Sequence, residues 1–300
     1  MPPPLTLERV LLDWSLEPVA AVIGILAAGL YLAGVRRLRR RGRCWPATRT
    51  ASFLAGVGTI LFASMSGIAA YEERAVLRPR GAAPPATGMA GPLLLALAAP
   101  ITLALQAAHR PTQVFLLRIL HTPVVRFVTH PAFVWLLFGG TLFVLYFTSL
   151  YELSLRNDVV HLWLHLHFVV SGALFFWVLV GLDPSGWPLP YWQRLLLVLA
   201  AVPFHVFLGV ALLGSDQVVA ADWYGSLGRT WGPSPLADQR TGAGLLWMIG
   251  DLLALVPAGI LLAQWMRYDE REAERADRAA DRLAVGAVEP DPHTRSGRAS

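Results

Sequence analysis

The stretch from Asp158 to Pro184, DVVHLWLHLHFVVSGALFFWVLVGLDP, constrains this chain more than any other. Between Val159 and Gly181 it has no Asp, Glu, Lys or Arg, which gives the roughly 20 apolar residues a bilayer-spanning helix needs. Yet it opens with His161, His165 and His167. His161 and His165 are four residues apart and share one helix face, while His167 points roughly the opposite way. Ionisable groups inside a membrane helix are costly, so they usually face the protein interior and carry function. Imidazole is also the commonest nitrogen ligand for copper, zinc and iron. Two readings are open here: histidines hydrogen-bonded at the headgroup level, or a metal-binding pair.

The composition fits a membrane chain. Of 300 residues, 55% are hydrophobic and 15% charged, where a soluble domain carries roughly a quarter charged. Apolar blocks at 18–35, 51–70, 88–108, 132–151, 160–181, 195–213 and 244–265 read as spanning helices. The expected fold is therefore an all-α membrane protein, a bundle of seven transmembrane helices. Pro92 and Pro100 interrupt the third block, which is tolerated where neighbours satisfy the freed carbonyls.

Orientation follows from the loops. Arg36, Arg37, Arg39, Arg40, Arg41, Arg43 and Arg49 lie between the first two blocks, so by the positive-inside rule that loop is cytoplasmic. The N-terminus is then outside and the C-terminus inside. Residues 1–17 form a short extracytoplasmic segment without the basic start of a signal peptide. The membrane domain covers 18–265. A charged cytoplasmic tail, 266–300, is helical at first and disordered from about 286. The net charge of +5 reports topology, and no nucleic-acid partner is expected.

Counting at about 1.5 Å per residue from the outer helix ends puts His165, His205 and Asp251 within about 5 Å of one level, with His161 just above. A shared layer suits a metal site or a proton path. Met65 and Met248 fall in the same half, and thioether sulfur suits Cu(I), although helical methionine is more often packing. His109, His121 and His130 read as solvated loop residues. Trp14, Trp45, Trp135, Trp187, Trp192 and Trp223 lie near segment ends as interfacial anchors. A single cysteine, Cys44, excludes an internal disulfide. There is neither a phosphate-binding glycine loop nor a metalloprotease His-Glu-x-x-His, and the chain is not expected to be an enzyme.

These features together resemble a family, the CtaG-type cytochrome c oxidase assembly factors of bacteria. The residues that carry the resemblance are His161, His165 and His167, then Gly172, Phe175-Phe176-Trp177 and Asp183-Pro184. Further along they are Pro203-x-His205, Gly209, Asp238-Gln239, Gly242, Trp247 and Gly250-Asp251, with GPLLLALAAPITLAL at 91–105 similar to the family's third helix. The resemblance covers about 20–265. It implies seven spanning helices in a bacterial plasma membrane and a role in delivering copper, as Cu(I), to cytochrome c oxidase subunits. The metal-binding residues would be His161, His165, His205 and Asp251. Two features depart from the pattern. Leu246 stands where the family usually has methionine, and the usual His-x3-His start of the third helix is missing. The alternatives are a haem-binding membrane redox protein and a proton-coupled transporter.

The stretch 74–87, RAVLRPRGAAPPAT, fits neither the charge rule nor the family pattern. One explanation is a genuine outer loop before a shortened helix. The other is a compensated reading-frame slip. Residues 78–86 can be encoded so that a one-base shift reads Val-His-Gly-Ala-Gln-His-Leu-Leu, restoring a His-x3-His pair and an apolar start.

Overall fold

The computed structural model describes residues 17–66, 86–228 and 232–288. Almost all of the 74–87 run lies outside them, so the choice between loop and frame slip is not decided there. The expected outer segment before Glu17 and the end of the tail after Val288 also lie outside.

Every regular element among the described residues is helical. Helix α1 is Pro18–Arg40 and α2 is Ala47–Met65. A π-turn at Ala86–Ala90 leads into α3, Gly91–Leu97, and then α4, Pro100–Ala107. Two short helices, α5 (Arg110–Leu120) and α6 (Pro123–Val128), precede α7, Pro131–Phe147, and α8, Leu150–Arg156. Helix α9 is Asp158–Val180 and α10 is Tyr191–Gly214. The short α11, Ala221–Ser226, precedes α12, a single helix over Pro235–Val288.

Five of these segments are long and apolar enough to cross a membrane: α1, Thr87–Ala107, α9, α10 and the Pro235–Ala280 part of α12. A sixth follows if α7 and α8, bent by 74° at their junction, form one span. The second expected block became α2, a 19-residue helix with Arg49 in its first turn, and it falls short of that test. The fourth block was expected to run to 151, but α7 stops at Phe147 and Thr148 is extended.

The helices pack as a continuous series. Helix α1 lies against α2 and α4, α2 against α3, α3 against α9, α9 against α7, α7 against α10, and α10 against α12. One core joins the middle of α7, α9, α10 and α12 around Phe138, Phe175, Phe176 and Leu179, with Phe138 and Phe175 stacked at 4.4 Å. A second joins Leu142, Leu164, Leu208 and Leu246 towards the α8 and α11 end. A third holds α1, α2 and α4 through Tyr31, Phe53, Ala98 and Leu103. Gly172 of α9 permits the approach of the third span, because a Cβ there would collide with the carbonyl oxygen of Gly88.

The third span is broken, as its prolines suggested. Ala99 sits in the left-handed region at φ 50° and ψ 57°, a conformation that costs a non-glycine residue about 1 kcal/mol or more. Side chains from elsewhere satisfy both sides of the break. The Tyr31 hydroxyl donates to the Ala98 carbonyl at 3.0 Å, and Trp45 Nε1 donates to the Tyr31 oxygen at 3.0 Å. Trp45, expected as an interface anchor, is therefore buried. On the other side, the Asp183 carboxylate accepts from the amides of Ile101 (3.1 Å) and Thr102 (2.6 Å) and from Thr102 Oγ1 (2.6 Å). A carboxylate is favourable at a helix start, where unsatisfied amides and the helix dipole converge. Gly-Leu-Asp-Pro thus does more than stop a helix. Gly181 ends α9 in the left-handed region, and Asp183, two residues on, starts α4.

Candidate functional site

Asn157 caps α9 by accepting from the amides of Val159 and Val160 at 3.0 and 3.2 Å. This fixes the first turn, which carries His161. One turn on, His165 follows on the same face, and the two imidazole centroids are 4.4 Å apart with ring planes inclined at 39°. His167 is occupied elsewhere. Its Nε2 lies 2.9 Å from Thr141 Oγ1 on α7, and its ring stacks on Trp163 at 5.2 Å. The helical spacing in the sequence placed His167 on a different face from this pair, as observed.

His205 on α10 is 3% exposed, and its Nδ1 has no hydrogen-bond partner. Gly250 of α12 makes room for the ring, since a Cβ at that position would lie 2.8 Å from the imidazole. His205, Met89, Phe168, Ser171 and Leu246 line a cavity of about 20 Å³, room for about one water. Asp251 accepts from Trp247 Nε1 at 2.7 Å through Oδ2, while Oδ1 is buried without a partner.

The candidate residues thus fall into two groups, His161 with His165 on α9, and His205 on α10 beside the turn of α12 that carries Asp251. Among the described residues, no group of three or more His, Cys, Asp or Glu could hold a metal ion. His161, His165, His205 and Asp251 are therefore not gathered into one such group. His205 shares its cavity with Phe168 and Ser171, three and six residues beyond His165, which is about 5–9 Å along α9. Helix α12 begins at Pro235, nine residues before the apolar block expected from 244.

The methionines also separate. Met65 is buried, whereas Met248 is 52% exposed and turned away from the cavity. Leu246, where the resemblance expects methionine, lines that cavity instead. Met89, which sequence reasoning passed over, lines the same cavity as His205. Its one visible signal was its place at the start of the third apolar block.

A second polar cluster was not foreseen as a unit: Tyr31, Trp45, Thr102 and Asp183 around the break in the third span. Arg49 stands over the Trp45 ring at 5.0 Å, and its charge acts on Asp183. The Asp183 carboxyl lies in the connection after α9, outside the spanning helices. Burial pushes it above the ordinary carboxylate range, against the hydrogen bonds from Thr102 and Ile101. Only Asp183-Pro184 was marked in the sequence, and its partner α4 is 81 or more residues away.

An uncharacterized protein of Mycobacterium tuberculosis is 36% identical to this chain over 288 residues, covering 94% of the chain and 43% of the relative. An uncharacterized protein of Mycobacterium leprae is 33% identical over 288 residues, covering 94% of the chain and 44% of the relative. The chain therefore spans less than half the length of these relatives. No solved structure matches it. Residues 29–268 match the profile of the cytochrome c oxidase caa3 assembly factors, Caa3_CtaG, a range that holds the broken third span, the candidate histidines and Asp251, and every helix from α2 to α11. The chain belongs to the Caa3_CtaG family of cytochrome c oxidase caa3 assembly factors.

Proposed function

We propose that this chain serves cytochrome c oxidase assembly by holding Cu(I) near the outer face of a bacterial plasma membrane and passing it to an oxidase subunit. In this reading copper is cargo, and the chain binds and transfers rather than catalyses. It crosses the membrane seven times, α2 included, with its N-terminus outside, which the arginines at 36–49 support. The observation that carries the proposal is the His161–His165 pair, two imidazoles 4.4 Å apart in the first turns of α9. Two nitrogen donors near a surface suit a transfer site, since a site that must release its ion is best left low in coordination. The unpartnered Nδ1 of His205 and Oδ1 of Asp251 add a deeper donor set beside the thioether of Met89, and soft sulfur favours Cu(I).

The test is metal analysis of the detergent-purified chain after Cu(I) loading and desalting, with a visible absorption spectrum of the same sample. About one copper per chain, lost on His161→Ala, is expected. No retained copper would overturn the proposal, and a Soret band would replace it with haem binding. The proton-coupled transporter draws on one observation, the burial of His205 Nδ1 and Asp251 Oδ1 without hydrogen-bond partners. It predicts pH-driven transport in sealed vesicles without copper.

A further inference from the structure

We propose that the arginine-rich end of the bundle holds the phosphate headgroup of an anionic phospholipid, in the pocket between the α1–α2 connection and the corner of α4 and α5. From Pro18 to Tyr151 the only acidic residues are Glu72 and Glu73. The chain has no lysine, so all 25 of its basic side chains are arginine. The ion pairs among the described residues are Arg156–Glu152, Arg240–Asp216 and Arg278–Glu274, and none uses the cluster at 36–49. Asp183, which feels the Arg49 charge, has both oxygens taken by α4. Among the described residues no carboxylate forms an ion pair with this cluster, which leaves it open to an outside anion.

The shape fits such an anion. Arg41, Arg43, Gln106 and Gln113 line an open pocket of about 680 Å³, within the range of about 300–1,000 Å³ typical of small-molecule sites. Arg41 is held over it by a bond from Nη1 to the Gln106 carbonyl at 3.4 Å, and the guanidinium fork matches phosphate oxygens two at a time. The neighbouring helices select a lipid over a free phosphate. Neither α5 nor α6 buries a residue, and Val114, Phe115, Ile119, Val124 and Phe127 are exposed beside Arg110 and Arg118. A basic helix with an uncovered apolar side is built to lie in a membrane interface. Headgroup and acyl chain thus find complementary surfaces side by side.

Cys44, the single cysteine, is exposed and lines the pocket, so it reports occupancy. The full chain would be placed in nanodiscs of phosphatidylcholine, of phosphatidylcholine with phosphatidylglycerol, or of phosphatidylcholine with inorganic phosphate. An uncharged maleimide would then be followed at Cys44, and native mass spectrometry would count retained phosphatidylglycerol. We expect slower alkylation and lipid retention in the phosphatidylglycerol discs. Near an anionic surface each arginine strengthens attachment about fivefold, so Arg41→Gln with Arg43→Gln should weaken retention about 25-fold and restore the alkylation rate. The double variant feels the same surface potential in those discs, so its rate isolates the pocket. Equal Cys44 rates for wild type and double variant in phosphatidylglycerol, with equal lipid retention, would overturn the proposal. Equal protection by inorganic phosphate would also overturn it, assigning the pocket to a soluble anion.

Discussion

Asp183→Ala should destabilise this chain more than a loop substitution ordinarily would, because the lost carboxylate serves a helix distant in sequence. Asp183 is 7% exposed and accepts three hydrogen bonds from the start of α4. Truncation leaves the amides of Ile101 and Thr102 without acceptors. The Thr102 hydroxyl can turn to the Leu182 carbonyl, 3.4 Å away. A buried donor left unsatisfied costs about 1–3 kcal/mol. Two such amides, with the lost dipole interaction at a helix start, give a total of about 3–5 kcal/mol. Asp183→Asn keeps one acceptor oxygen and should cost about 1–2 kcal/mol on the same reasoning. Equilibrium unfolding in mild detergent titrated with dodecyl sulfate, followed by helical circular dichroism, reads both variants. Amide exchange over Leu103–Ala107 should accelerate selectively. Acidity supplies an independent check. The folded-state value is raised, so the native chain takes up this proton before the unfolded chain does. The stability contributed is complete at acid pH and fades as pH rises through the raised value. The margin of wild type over Asp183→Asn should therefore grow as pH is lowered from neutral. A loss below about 1 kcal/mol for the alanine variant would refute the capping account, and a margin that shrinks in acid would refute the upward push of burial on the carboxyl.

For topology, alkaline phosphatase fused after residue 45 should be inactive and after residue 155 active; the reverse pattern would invert the bundle. Copper retention should fall with His161→Ala, His165→Ala and His205→Ala and survive His167→Ala, because His167 is committed to Thr141 and Trp163. Equal losses for all four would remove the distinction between the faces. Gly172→Ala forces the third span away from α9 and should cost about 1–3 kcal/mol as an overpacked contact, readable as a lowered melting temperature in detergent. Resequencing the coding DNA settles the 74–87 run, since the frame slip requires codons ending in A for both Pro79 and Ala83.

The helix character of the chain was legible wherever a run was uniformly apolar, as at 160–181 and 195–213, where the observed helices differ by a few residues. Helical periodicity alone also separated His161 and His165 from His167. What was not legible depended on where helices start. The start of α12 was hidden, because a run holding Asp238, Gln239 and Arg240 continues the helix ahead of the apolar block. The break at Ala98–Ala99 announced itself through Pro100. Its partners Tyr31 and Asp183 are 67 and 82 residues away, and no local pattern encodes a contact at that separation. The same holds for His205 and Asp251, each recognisable as a polar residue in an apolar run, with a neighbourhood set only by how α10 lies on α12.

Helix α12 runs unbroken for 54 residues, about 80 Å at helical rise. The hydrocarbon core takes up only about 30 Å of that length. The part beyond Met266 therefore stands off the membrane as a rod of about 30 Å, continuous with the segment that carries Asp251. Pro257, buried within the helix, removes one backbone hydrogen bond between them and gives the rod a pivot. Rotation of about 5° at that pivot sweeps the far end through about 4 Å, the rod being about 45 Å long from there. Through this lever, a small repacking around Trp247 and Asp251 becomes a displacement large enough to make or break a side-chain contact far from the bilayer.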